Sequence, residues 1–162
     1  MSELIIVVDD QDNQVGVKER SKITPSDTYR ASGLWIVNLE GKVLLARRSF
    51  DKNISPGCWG PASSGTVDQG ETYEDNVYKE AEEELGLTGF KFEEVVHGRL
   101  GSNHFAKVFK LKADINISDL TLQKEEVDSV AWFDTEDLKQ RIKAHPEEFV
   151  ESALKWEEIG LL

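Results

Sequence analysis

Apolar residues recur along this chain with two different periods, and the change from one to the other marks out its elements. Residues 4–8 read LIIVV, a β-branched run. The polar DDQDNQ behind it is turn material and residues 15–17 resume an extended pattern, which predicts a hairpin or a strand with a return. Residues 19–29 show neither period and predict an irregular connection. Residues 33–37 and 43–46 flank Asn38-Leu39-Glu40-Gly41-Lys42, a hairpin signal with glycine in its turn, and predict two central strands. Residues 49–64 contain Pro56, Gly57, Gly60 and Pro61 and predict a loop. Residues 90–96 and 104–111 alternate like paired strands around Gly98-Arg99-Leu100-Gly101, and residues 127–133 predict a further strand. Thr135 caps a helix running through Ile142, and Pro146 opens a last amphipathic helix that reaches Trp156. No repeat or low-complexity segment interrupts the pattern.

The helical period is clearest in residues 72–85. Thr72 followed by Asp75 is a capping-box pattern, and Gly86 stands where a left-handed residue closes the last turn. At roughly 100° per residue, Tyr73, Val77, Ala81 and Leu85 form one apolar stripe. Glu80, Glu83 and Glu84 share an arc beside it, while Glu82 points the other way. A glutamate run ordinarily means a solvated helix face. Here, carboxylates three and four residues apart repel, and the negative end of the helix dipole opposes anions in the last turn. Two local rules are broken together, which is the mark of a functional site, and a hard divalent cation such as Mg²⁺ would cancel the repulsion.

Size and charge narrow the partners. A chain of 162 residues fits one domain and can bury roughly two-thirds of its unfolded surface. The net charge of −12 argues against a nucleic-acid backbone or an anionic membrane as partner and leaves a small molecule. Cys58 is the single cysteine, so no internal disulfide can form, and its Pro-Gly-Cys-Trp context reads as packing. The N-terminal apolar run lacks the basic front end and length of a signal peptide, and no stretch has the roughly 20 apolar residues of a membrane span. A cytoplasmic location is expected, as monomer or homodimer. His97 and His104 have no second His or Cys at ligand spacing and read as strand or loop residues. Arg47 and Arg48 close a predicted strand, where a cationic pair either faces solvent or contacts phosphate oxygens.

Residues 65–87, GTVDQGETYEDNVYKEAEEELGL, resemble the Nudix box: a Gly, five residues, a Glu, seven residues, then Arg-Glu-apolar-x-Glu-Glu-x-Gly-apolar. The matching positions are Gly65, Glu71, Lys79, Glu80, Ala81, Glu83, Glu84, Gly86 and Leu87. Lys79 departs by standing where the family has Arg, which keeps the charge and loses the planar two-pronged grip on a carboxylate. The resemblance implies one Nudix domain over residues 1–162, an α/β (α+β) fold in which a mixed β-sheet lies between helices as an α/β/α sandwich. It implies Mg²⁺ (or Mn²⁺) held by Glu80, Glu83 and Glu84 with the Ser64 or Gly65 carbonyl, and Glu71 and Lys79 bracing the loop against the helix. Arg47 or Arg48 would bind phosphate, and Glu126, six residues before Trp132, would add an acidic group near the metal. The general base would be one of the box glutamates or Glu126.

The stretch PGCWGPASSGTVDQGE is also similar to isopentenyl diphosphate isomerase, a Nudix-fold enzyme that moves a double bond. In that comparison the isomerase's essential Cys falls on Ser64 and two of its metal-binding His fall on Thr66 and Tyr29. None of these is kept, while the full glutamate set is present. The resemblance therefore implies an isomerase-like branch of Nudix hydrolases, acting on the diphosphate bond of a nucleoside diphosphate linked to a group X. Isomerase activity, and a non-catalytic nucleotide-binding module, are the alternatives.

Overall fold

The computed structural model describes residues 3–162, and its architecture is organised by one long strand. The first strands are β1 (Leu4–Val8), β2 (Gln14–Glu19), β3 (Thr28–Val37) and β4 (Val43–Arg48), followed by the short β5 (Trp59–Gly60) and β6 (Ser63–Thr66). Helix α1 (Tyr73–Leu85) comes next, then β7 (Glu93–Arg99), β8 (His104–Lys112), β9 (Val127–Phe133) and helix α2 (Thr135–Ala144). Along one edge β3 pairs in parallel with β8 from Tyr29↔His104 to Val37↔Lys112. It also pairs, antiparallel and in succession, with β1 at residues 28–29, β6 at 31–34 and β4 at 36–37. Among the described residues the result is a nine-stranded mixed sheet.

Both faces of that sheet are covered. Leu34 and Ile36 of β3 and Leu44 and Ala46 of β4 join the core beneath α1, with Val77, Ala81 and Leu85. Trp35, Val43 and Leu45 point the other way, into a second core with Leu138 and Ile142 of α2 and the C-terminal Trp156. A strand buried on both faces reads as a continuous apolar run, which is why 33–37 and 43–46 carry so little alternation. This is the expected α/β/α sandwich. Among the described residues no helix is long and apolar enough to cross a membrane.

The structure corrects several element boundaries. β3 begins at Thr28, inside the segment expected to be irregular, because β1 pairs with Thr28 and Tyr29 and β8 with Tyr29. The β3–β4 hairpin pairs only at Ile36↔Leu44 and Val37↔Val43, after which that edge of β4 passes to β5 at Ala46↔Gly60, while β9 lies along the other edge from Val43 to Arg48. The expected loop at 49–64 contains β5 and the start of β6. β7 runs from Glu93 to Arg99, so Gly98 and Arg99 belong to the strand and not to a turn. The last amphipathic helix does not form. Two 3₁₀ turns, Pro146–Glu148 and Glu151–Lys155, replace it, because the Val150 N–H donates to the Trp59 carbonyl at 2.9 Å and holds 149–150 extended.

Candidate active site

Helix α1 begins and ends as its sequence requires. The Asp75 N–H donates to Thr72 Oγ1 at 3.0 Å and the Thr72 N–H to Asp75 Oδ2 at 2.9 Å, closing the capping box. Gly86 takes φ 65°, a left-handed value that a side chain would strain. The carbonyls at the end of α1 are met by a separate segment: the Thr121 N–H donates to Leu85 O and the Gln123 N–H to Glu84 O, each at 3.0 Å. That pairing also delivers Glu126 to the acidic end of the helix.

The helix lies on β6 in a regular ladder. Asn76, fully buried, donates from Nδ2 to the Thr66 carbonyl at 3.0 Å and to Glu71 Oε2 at 3.3 Å, while its Oδ1 accepts from Ser32 Oγ. One turn on, the Glu80 carboxyl covers Gly65 so closely that a Cβ there would lie 2.4 Å from Glu80 Cδ. One further turn brings Glu84, only 8% exposed, to the Ser64 backbone N–H. Gly65 is thus required by the close approach of the Glu80 side chain, not by its own backbone angle.

Lys79 takes up the bracing position. Its Nζ lies 2.7 Å from Glu71 Oε1, 3.0 Å from Asp68 Oδ2 and 4.0 Å from Glu80 Oε1. Burial disfavours its charge, but the hydrogen bonds to Glu71 and Asp68 outweigh that and hold its pKa above the usual lysine value.

Electrostatics single out one pair. Burial, the neighbouring Glu80 and the charge of Glu126 push the Glu84 carboxyl well above the ordinary range, against the opposing pull of the Ser64 N–H. Burial also raises Glu80, helped by Glu83 and Glu71 and opposed by Lys79. Four residues apart on α1, the two carboxyls repel each other when both are charged. Glu83 lies on the exposed side of α1. Among the described residues no three His, Cys, Asp or Glu side chains are gathered into a closed ligand set. The donor set nevertheless fits Mg²⁺, which keeps several waters and is held by one or two carboxylates together with substrate phosphates. A divalent ion between Glu80 and Glu84 would cancel the repulsion between their carboxylates.

The two arginines expected to offer phosphate contact take different positions. Arg47 packs its guanidinium 4.7 Å from the Phe50 ring centroid and 5.8 Å from that of Trp59, on the α2 side of the sheet, and donates from Nε to Gly57 O at 2.9 Å. The alternation of β4 decides this, since Arg47 continues the Val43–Leu45 row away from α1. Arg48 donates from Nε to Ile54 O at 3.0 Å. Both anchor the 49–58 loop. That loop returns Lys52 to Glu126, Nζ to Oε2 at 2.5 Å, while the Ser49 N–H donates to the Glu126 carbonyl at 3.0 Å. Lys52 and Asn76 are absent from the sequence-based set. The bond joining Lys52 to Glu126 spans 74 residues, and Asn76 sits among polar neighbours, so neither carries a local signal.

Of the positions compared with the isomerase, Thr66 and Ser64 lie on β6, and Tyr29 stacks on His104 with ring centroids 5.6 Å apart. His97 Nε2 lies 2.7 Å from Asp12 Oδ2. Cys58 is half-buried, its Sγ 3.4 Å from the Glu147 carbonyl.

A mixed sheet between helices, with an acidic helix seated on a glycine-containing strand, defines the Nudix class of protein. The family model for the NUDIX domain matches residues 27–153, and this chain belongs to that family as a Nudix-type hydrolase. It is 31% identical over 156 residues to an uncharacterized Nudix hydrolase of Yersinia pestis, covering 94% of this chain and 82% of that one. It is 28% identical over 155 residues to an isopentenyl-diphosphate Delta-isomerase of Klebsiella pneumoniae, covering 89% and 83%, which places it in the isomerase-like branch. Among solved structures, DR0079 of Deinococcus radiodurans shares the fold with a TM-score of 0.82 at 24% identity over 97% of both chains. The NUDIX domain of Shewanella oneidensis NrtR, solved with ADP ribose, does so with a TM-score of 0.63 at 16% identity, over 89% and 92%. Nudix hydrolases in general cleave diphosphate linkages and use divalent metals such as Mg²⁺.

Proposed function

We propose that this chain, acting as a single Nudix domain, hydrolyses the diphosphate bond of a nucleoside diphosphate linked to a group X, with Mg²⁺ held by Glu80 and Glu84. The observation that carries this reading is the buried Glu80–Glu84 pair seated on Gly65 and Ser64, an arrangement that costs stability unless a cation occupies it. A bound Mg²⁺ would neutralise phosphate charge and acidify a water molecule. The Ser64 or Gly65 carbonyl would complete the protein's donor set, and Glu83, at the solvent edge, would add a third carboxylate. Glu126 stands across from Glu84 with its carboxylate on Lys52, which makes it a base candidate beside the box glutamates. Lys52 on the 49–58 loop and Arg48 at the end of β4 would meet the phosphates, while Arg47 holds the loop from the far side of the sheet. Lys79, Glu71 and Asn76 fix the loop and helix to each other.

The test is formation of nucleoside monophosphate and X-phosphate from a panel of nucleoside diphosphate derivatives with and without Mg²⁺ or Mn²⁺, for wild type and Glu84→Gln. Cleavage that needs the metal and Glu84 supports the reading. Ligand binding with equal inertness of both proteins would make the chain a binding module. Conversion of isopentenyl diphosphate with no phosphate released would make it an isomerase, the activity named for several of its relatives.

A further inference from the structure

One ion pair joins the 49–58 loop to the acidic end of α1. Lys52 Nζ lies 2.5 Å from Glu126 Oε2, with the two side chains 27% and 40% exposed. Backbone bonds hold both partners in place. The Ser49 N–H donates to the Glu126 carbonyl at 3.0 Å and the Lys52 N–H to the Ser49 carbonyl at 3.2 Å, which fixes the root of the lysine. The Glu126 N–H donates to the Gln123 carbonyl at 2.9 Å and the Gln123 N–H to the Glu84 carbonyl at 3.0 Å, which ties Glu126 to the last turn of α1. This pair is built differently from the Lys79 brace. Lys79 is held by Glu71 and Asp68 together, whereas among the described residues the Lys52 ammonium has Glu126 alone and the Glu126 carboxylate has Lys52 alone. A single ion pair open to water is held weakly, so its partners can be exchanged.

We propose that Lys52 changes partners on binding: it covers Glu126 in the free protein and moves to a phosphate of the substrate when metal and diphosphate arrive together, uncovering Glu126 for the metal. This rests on the reading of Glu80 and Glu84 as metal ligands and of Lys52 as a phosphate contact. Charge makes the exchange cooperative. A divalent ion alone must compete with an ammonium for Glu126. A diphosphate alone would draw Lys52 away and leave Glu126 uncompensated beside the box glutamates. A metal–diphosphate complex supplies an anion for Lys52 and a cation for Glu126 at once, so two attractive pairs replace one. Metal and diphosphate affinities are then coupled through this lysine, each raising the other.

The experiment measures two affinities: Mn²⁺ alone by electron paramagnetic resonance, and methylene diphosphonate, a diphosphate analogue that water does not cleave, by calorimetry at saturating Mn²⁺. Lys52→Met is expected to bind Mn²⁺ about tenfold more tightly than wild type and the diphosphonate about tenfold more weakly. The gain for Mn²⁺ should vanish when Glu126→Gln is added to Lys52→Met. Lys124→Met removes an ammonium two residues before Glu126 that donates to the Asp128 carbonyl instead, and should leave both affinities unchanged. An ion pair that merely steadies the loop would weaken both affinities when broken, and that result overturns the proposal. So does a Mn²⁺ gain that survives Glu126→Gln or is matched by Lys124→Met, since loss of positive charge alone would then account for it. Failure of wild type to bind the diphosphonate overturns it as well. Glu84→Gln separates the exchange from the reading beneath it. If that variant binds Mn²⁺ as wild type does, the metal site itself fails and the exchange with it. If it loses the ion while Lys52→Met matches wild type in both affinities, only the exchange falls.

Discussion

Lys79 Nζ sits 2.7 Å from Glu71 Oε1, an ammonium doing with one point contact per carboxylate what the family pattern assigns to a guanidinium. The same ammonium reaches Asp68 Oδ2 at 3.0 Å, so two acidic groups of the loop depend on it. Lys79→Met is expected to cost about 1–2 kcal/mol, chiefly by leaving both carboxylates without a partner. Lys79→Arg should be near neutral or slightly stabilising. Urea unfolding of the three proteins checks this, and a methionine variant as stable as wild type would show the brace to be idle.

Glu84→Gln should uncouple stability from activity. It removes the buried charge that Glu80 and Glu126 oppose, so its melting point without metal is expected to rise. Activity should fall by at least about a hundredfold, given several kcal/mol of charge stabilisation from a bound ion at about 1.4 kcal/mol per tenfold. Melts and steady-state rates on the same preparation decide it. A variant both less stable and fully active would contradict the assignment.

Gly65→Ala places a methyl where Glu80 Cδ would be 2.4 Å away. Overpacking of this kind costs about 1–3 kcal/mol, and here the group that must yield is a proposed ligand. Lower stability and weaker Mn²⁺ binding are expected together, measured by unfolding and by calorimetric titration.

Asn76→Ala should be among the most damaging changes away from the carboxylates. It strands the Thr66 carbonyl and the Ser32 hydroxyl in a site with no exposed surface. The expected loss is about 2–4 kcal/mol, combining unsatisfied polar groups with a small cavity. Because Asn76 pins β6 to the helix, metal affinity should fall as well.

His104 predicts a pH dependence. Burial holds its pKa below the ordinary 6.5, with Lys155 and Arg99 adding to the effect and Glu151 opposing it. The unfolded chain therefore binds the proton more readily than the folded one, so stability is complete above about pH 6.5 and is lost as pH falls below it. Melting points measured from about pH 7.5 down to 5 should drop more steeply in wild type than in His104→Phe, which keeps a ring against Tyr29. Parallel curves would remove His104 from the account.

Legibility followed sequence distance. The α1 helix was readable to the residue because its signals are local: Thr72 and Asp75 cap it, Gly86 ends it, and its apolar stripe repeats within it. The last segment misled because Pro146 and the apolar spacing after it satisfy a helix locally, while a bond from Val150 to Trp59, ninety-one residues away in the chain, holds it extended. The helical wheel put Glu83 beside Glu80 and Glu84, but a wheel gives angle and not depth, and only the strand beneath distinguishes the buried pair from the exposed third.

By itself the sequence determined that an acidic helix of this phase exists, that Gly65 and Lys79 stand at family positions around it, and that the sheet is apolar on both faces. Those properties depend on neighbours within a few turns or on side-chain type alone. Tertiary structure decided which carboxylates come together, that Arg47 turns to the α2 face, and that Lys52 reaches Glu126 and Asn76 reaches Glu71. Each of these depends on strand register and chain crossing, where a shift of one residue reverses the face a side chain occupies.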